Sequence, residues 1–258
     1  MLSFIANRLR LSSMGRGKWT VSQVARMIDY TLLQPHATED DIRRLCNEAI
    51  QYGFAAVCVN PIYVPLAYQI LRGTNIKVCT VAGFPLGSTF KGVKVEEARH
   101  AVEEGASEID MVINLPMLKS RRYDYVEEEI REVKRAIGDN ILKVIIECCY
   151  LTDEEKIAAA RIAERAGADF VKTSTGFGPS GAKIEDVKLL RSVLSPHVKI
   201  KAAGGIRTGV QALSFLEAGA DRIGTSSGTR IIEELRQLWS IEHLSSQAFR
   251  RAEDSGLL

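Results

Sequence analysis

The sequence predicts an α/β protein, a single (β/α)8 TIM barrel with a short N-terminal helical extension. Three observations carry this reading. Eight short apolar runs alternate with stretches whose apolar residues recur at helical spacing, the repeating unit hardly changes in size, and three helix-to-strand joins share one word: Gly105-Ala106, Gly167-Ala168 and Gly219-Ala220. A glycine just past a helix supplies the left-handed residue that ends it, and the next strand starts at once. No GxGxxG follows the first run and the glycine-rich turns fall late in the chain, which favours a closed barrel over an open dinucleotide-binding sheet.

In chain order, a helical lead-in over Val21 to Arg26 precedes strands at Met27 to Leu33, Phe54 to Val59, Ile76 to Ala82 and Glu108 to Ile113. The remaining four are Leu142 to Glu147, Asp169 to Thr173, Val198 to Ala202 and Arg222 to Thr225. Helical patterns between them cover Asp40 to Gln51, Val93 to Glu104, Tyr123 to Ile137, Asp153 to Ala166, Ile184 to Leu194 and Gly209 to Ala218. Residues 1–19, with Arg8, Arg10, Arg16 and Lys18 and no acid, read as an N-terminal extension outside the fold; 20–240 form the barrel and 241–258 a tail.

At 258 residues and 46% hydrophobic content the chain is long enough for one large core. A net charge of +2 without a basic block points to neither nucleic acid nor a membrane surface, and no apolar run is long enough to span a bilayer. Cys46, Cys58, Cys79, Cys148 and Cys149 form no CxxC pair and read as reduced, packed thiols of a cytoplasmic protein. Cys58 sits at the mouth end of its strand, while Cys148 and Cys149 are placed on opposite faces of theirs. His36, His100, His197 and His243 show no ligand spacing, so no metal and no cofactor are expected.

The chemistry is expected at two lysines. Lys172 ends the sixth strand and Lys201 the seventh, each followed by a glycine-containing turn. A lysine in a buried strand is rare unless paired or used. A single one can snorkel its charge into water; two at neighbouring strand ends suggest that repulsion from one ammonium favours the neutral, nucleophilic amine of the other. Asp110, inside an apolar strand, either shuttles protons between them or is a structural ion-pair partner. Asp29, Lys143 and Glu147 are further members of the same possible network. The turns carrying Gly204, Gly205 and Arg207 after strand seven, and Ser226 and Ser227 after strand eight, stand where barrels hold a phosphate.

Together, Glu108-Ile-Asp110-Met-Val-Ile-Asn114, Leu142-Lys-Val-Ile-Ile-Glu147, Phe170-Val-Lys172-Thr-Ser-Thr-Gly176-Phe and Lys201-Ala-Ala-Gly-Gly-Ile-Arg207-Thr resemble the deoxyribose-phosphate aldolase family, from about Ile28 through Ser227. The resemblance implies a metal-independent lyase of carbohydrate degradation. Its reaction is reversible cleavage of 2-deoxy-D-ribose 5-phosphate to acetaldehyde and D-glyceraldehyde 3-phosphate. In that family pattern Lys172 forms the Schiff base, Lys201 perturbs it and Asp110 moves protons, with Gly176, Gly204, Gly205, Arg207, Ser226 and Ser227 around the phosphate. The implied partners are sugar-phosphate and aldehyde substrates, and a homo-oligomer, dimer or tetramer, is expected. Phe177 stands where some members have lysine, and the chain ends without the terminal tyrosine of others. The competing readings are a Schiff-base aldolase or transaldolase for another sugar phosphate, a sugar-phosphate isomerase without a covalent intermediate, and a non-catalytic binding barrel.

Overall fold

The computed structural model describes residues 18–240. Eight parallel strands close into a barrel in sequence order, β8 pairing with β1. They are β1 (Ile28–Leu32), β2 (Ala56–Val59), β3 (Lys77–Ala82), β4 (Glu108–Val112), β5 (Ile141–Ile145), β6 (Phe170–Lys172), β7 (Lys199–Ala203) and β8 (Arg222–Thr225). Around them lie α1 (Val21–Ala25), α2 (Glu39–Tyr52), α3 (Val64–Leu71), α4 (Lys91–Glu103), α5 (Leu115–Lys119) and α6 (Tyr123–Ile137). The outer ring continues with α7 (Asp153–Arg165), α8 (Ile184–Val193), α9 (Gly209–Glu217) and α10 (228–240). The expected barrel is thus present; the segments 1–17 and 241–258 lie outside the described residues.

The joins behave as the repeated word predicts. Gly105, Gly167 and Gly219 all have positive φ, and the N–H of the alanine after each donates five residues back, from Ala106 to Ala101, Ala168 to Ala163 and Ala220 to Phe215. N-termini are fixed by side chains: Thr20, Thr38 and Thr152 each close a capping box with the residue three further on. Two helices between the strands escape the sequence pattern. Pro61 and Pro65 break up the apolar run that becomes α3, yet Pro65 lies in the first turn, where its missing N–H costs nothing. The one-turn α5 is too short for a period to show.

Two strand ends near the site differ from expectation. β7 runs one residue beyond the expected Ala202, to Ala203, so Lys201 lies within the strand rather than at its end; the pairing of Ala203 with Gly224 holds the extension. β5 stops at Ile145, and Glu147 has a left-handed backbone. Cys148 and Cys149 therefore sit in a 3₁₀ turn, not on a strand.

Alternation along each strand builds two layers. Residues such as Ile109, Met111, Val144, Val171 and Ile200 face outward into one continuous core shared with the helices. The inward face is divided. On the β2–β3 side it is apolar, with Ala56, Cys58, Cys79 and Val81 and with Leu33 just past the end of β1; on the β4–β8 side it is charged, and Asp29 of β1 joins that side.

One fully buried ion pair lies outside the barrel. Lys94 of α4 meets Glu129 of α6 at 2.8 Å and donates to the Val112 carbonyl at 2.8 Å, while Glu129 accepts the Asn114 N–H at 3.0 Å. The pair clamps the end of β4 to two helices. Lys94→Met leaves the carboxylate without its cation, so denaturant unfolding should show a loss of about 3–5 kcal/mol, and the double variant Lys94→Met/Glu129→Leu a smaller one.

Candidate active site

The register brings the inward-facing charged residues together. Asp110 is level with Lys143, Lys172 with Lys201, and Lys201 with Arg222 on adjacent strands. Side chains level on neighbouring strands point the same way, so all of these enter the barrel. Asp110 is the hub. Its Oδ2 accepts from Lys172 Nζ at 2.8 Å and Lys201 Nζ at 2.7 Å, and its Oδ1 from Lys143 Nζ at 2.8 Å.

A second tier sits behind it. Lys201 reaches Asp29 Oδ2 at 2.5 Å, Lys143 reaches Glu108 Oε2 at 2.6 Å, and Arg222 bonds Asp29 Oδ1 at 2.5 Å with Glu108 at 3.6 Å. Lys143 and Lys201 are completely enclosed, whereas the Lys172 side chain keeps 3% of its surface, on the cavity side.

Burial alone would raise the Asp110 carboxyl, but the ammonium groups of Lys143, Lys172 and Lys201 hold it well below the usual carboxylate range. Asp29 is likewise held down, Arg222 and Lys201 outweighing its burial. Burial opposes charge on Lys201 and Lys143, yet the carboxylates, Asp110 foremost, hold both above the ordinary lysine range. Two thiols complete the wall. Cys79 Sγ lies 3.2 Å from both Asp110 Oδ1 and Lys143 Nζ. Burial pushes its thiol well up, while a hydrogen bond from Cys79 draws the Cys58 thiol down.

Above Lys172 a cavity of about 250 Å³ opens between the ends of β1, β6, β7 and β8. Gly176, Gly204, Gly205, Arg207 and Ser226 line it and form a cup. Ser227 does not; its N–H is spent on Thr225 Oγ1 at 2.9 Å, and its carbonyl accepts from Ile231 in the first turn of α10. The cup depends on close backbone packing: Gly204 has φ +93°, and a Cβ there would stand 2.8 Å from Gly181 Cα. Phe177 lines the opposite rim, edge-on to Phe84 with ring centres 5.3 Å apart. Glu147 holds that rim, accepting the Thr175 N–H at 3.2 Å and its hydroxyl.

The structure therefore gathers Lys172, Lys201, Asp110, Asp29 and Lys143 in one network and leaves Glu147 to order a loop. Two members were missed, Glu108 and Arg222. The period of two was the available signal for Glu108, which shares a strand face with Asp110; Arg222 carried none beyond heading a strand. As for cations, Cys58, Cys79 and Asp110, or Asp29, Cys79 and Glu108, bring ligand atoms within 4.8 Å of one another. In both trios the carboxylates already face lysine or arginine nitrogens, so the donor set fits an internal ammonium better than a metal.

The depressed carboxyls set a pH window. Asp110 and Asp29 ionise more readily folded than unfolded, so their stabilisation is present above the unfolded value near 4 and is lost as pH falls below it; Lys143 and Lys201 act oppositely, losing theirs as pH rises beyond about 10. Asp110→Asn is expected to lower stability by about 3–5 kcal/mol at neutral pH. In thermal melts across pH, its gap from wild type should begin to close below about pH 4.

Comparison with known proteins gives one answer. The profile of the DeoC/LacD family aldolases matches residues 24–234. A protein from Caldanaerobacter subterraneus subsp. tengcongensis, named deoxyribose-phosphate aldolase, is 56% identical over 221 residues, 84% of this chain and 96% of that one. One of the same name from Thermococcus gammatolerans is 58% identical over 217 residues, 83% of this chain and 96% of its own length. Among solved structures, a tetrameric deoxyribose phosphate aldolase from Aeropyrum pernix superimposes with a TM-score of 0.80 at 36% identity, covering 88% of this chain and 97% of that one.

Proposed function

Since this chain belongs to the DeoC/LacD family of aldolases, we propose that it is a lyase that reversibly cleaves 2-deoxy-D-ribose 5-phosphate to acetaldehyde and D-glyceraldehyde 3-phosphate through a Schiff base on Lys172. The observation that carries this is the single Asp110 oxygen bridging Lys172 and Lys201 at the floor of a glycine-lined cavity.

The neutral amine of Lys172 attacks the C1 aldehyde of the open-chain sugar, and loss of water leaves a protonated imine. Removal of the C3 hydroxyl proton then breaks the C2–C3 bond. Glyceraldehyde 3-phosphate departs, and the bonding electrons pass into an enamine over C1–C2. Protonation at C2 and hydrolysis of the imine release acetaldehyde and restore the amine. Protons passing between Lys172 and Lys201 cross one carboxylate oxygen, so Asp110 and Lys201 serve as the relay. The phosphate is assigned to Gly176, Gly204, Gly205, Arg207 and Ser226, where backbone amides and one guanidinium supply donors. An isomerase without a covalent intermediate is not favoured, because the relatives that match most of the chain carry the aldolase name.

Two further readings accompany this one. The free cysteines, all five unpaired, fit a reducing cytoplasmic compartment. A homo-oligomer is proposed on the tetrameric relative and on Ile62, Leu86, Phe90 and Val93, large apolar side chains exposed along the β2–α4 flank.

Borohydride reduction with deoxyribose 5-phosphate, followed by peptide mass spectrometry, should place the reduced adduct on Lys172. Lys172→Leu should abolish both adduct and turnover, and Lys201→Leu should lower turnover by about 100-fold or more; full turnover in either variant would sink the mechanism. Gly204→Ala, by forcing the cup apart, should raise KM for the phosphorylated sugar by about tenfold while leaving that for unphosphorylated deoxyribose nearly unchanged.

A further inference from the structure

The barrel interior holds four cations, Lys143, Lys172, Lys201 and Arg222, against three carboxylates, Asp29, Glu108 and Asp110. One positive charge is in surplus. Which cation bears the surplus follows from the pairing: Lys143 faces all three carboxylates, Lys201 and Arg222 face two each, and Lys172 shares one oxygen of Asp110. Arginine does not release its proton in proteins.

We propose that Arg222 is a positioning residue for the reaction: its permanent charge engages Asp29 and Glu108 behind the lysines and so makes Lys172 the cation the interior can spare. This rests on the Schiff-base reading and deepens it. The coupling runs through named contacts. Asp29 divides its oxygens between Arg222 and Lys201, and Lys201 divides its ammonium between Asp29 and Asp110. Without the guanidinium, Asp29 draws Lys201 toward itself and Glu108 draws Lys143. Three carboxylates then face three ammonium groups, and Asp110 keeps Lys172 as its counterion. The neutral nucleophile becomes scarce at neutral pH.

The other charged and titratable groups around Lys172 come from the strands and loops that surround it. Asp110 comes from β4, Lys201 from β7, and Lys143 from β5 on the far oxygen of Asp110. The Cys79 thiol of β3 contacts Asp110 and Lys143, Cys58 of β2 lies within 4.8 Å of Cys79 and Asp110, Glu147 beyond β5 is engaged by Thr175, and Arg207 after β7 lines the cavity above Lys172. Arg222 is held in place by its two carboxylates and by the Phe170 ring, 5.6 Å from the guanidinium.

The test is a charge cycle on the full chain, using wild type, Arg222→Met, Arg222→Lys, Glu108→Gln and the double variant Arg222→Met/Glu108→Gln. Each is read by the pH dependence of kcat/KM and of borohydride trapping at Lys172. Arg222→Met should lose about tenfold or more at pH 7 and recover as pH rises, its acid limb moving upward. Glu108→Gln, which enlarges the surplus, should move that limb downward, and the double variant should return it toward wild type. Arg222→Lys keeps the charge and should keep the wild-type limb. A loss in Arg222→Met that is the same at every pH, or a double variant that fails to return, overturns the proposal. Should Arg222→Met not fold, Glu108→Gln decides alone, and an unmoved limb there overturns it. Absence of any wild-type adduct defeats the Schiff-base reading itself; a wild-type adduct with unmoved limbs in the variants defeats only the role of Arg222.

Discussion

The contact on which this molecule turns is the Asp110 carboxylate, which receives three lysine nitrogens within 2.8 Å inside a closed barrel. An unpaired charge in such a place is strongly disfavoured, and a buried pair survives only with favourable geometry and further hydrogen bonds. Here the geometry comes from the sheet register, which fixes the strand levels of Asp110, Lys143, Lys172 and Lys201 before any side chain chooses a rotamer. A slip of one residue on β6 or β7 would send a lysine into the apolar layer outside the barrel. Closure of the barrel and pairing of the charges are therefore mutually dependent.

The division of the interior follows from the same constraint. Charges gather on the β4–β8 side together with Asp29 of β1, and small apolar residues with two thiols fill the side of β2 and β3. That gives the ionic cluster a low-dielectric wall on one side and a solvent-facing opening on the other, so its fields are screened chiefly at the cavity. Outside, the Lys94–Glu129 pair anchors the strand end just beyond Asp110 through the Val112 carbonyl and the Asn114 N–H. The hub strand is thus held at its end by a second buried ion pair that never touches the cavity.

Most of this was legible in the sequence because the repeating unit is regular. The eight strands, the Gly-Ala joins and the three residues of the Lys172–Asp110–Lys201 bridge all leave local signals: a charge where an apolar residue is due, or a glycine where a helix must stop. What stayed hidden depends on long-range placement. Glu108 looked like the polar start of a strand; the period of two puts it on the face of Asp110, but its partner Lys143 is on another strand. Arg222 pairs with Asp29 across 193 positions, a separation that no local pattern encodes. Ser227 illustrates the converse: its residue type suits an anion site, but the turn into α10 commits its N–H elsewhere. α3 was lost because prolines read as breakers when they stand at a helix start.

A lysine nucleophile has two opposed needs: enough burial to make the free amine tolerable, and enough access to reach a sugar. The three interior lysines resolve this by depth. Lys143 and Lys201 are wholly enclosed and multiply paired, so they keep their protons and their positions. Lys172 ends its strand, has one carboxylate oxygen to itself and its neighbour, and alone among them lines the cavity. Were all three alike in exposure, any of them could capture an aldehyde and the product would depend on chance encounters. Because enclosure and pairing fall together on two of them, depth alone distinguishes the third as the lysine open to a ligand. That depth follows from where the strand stops.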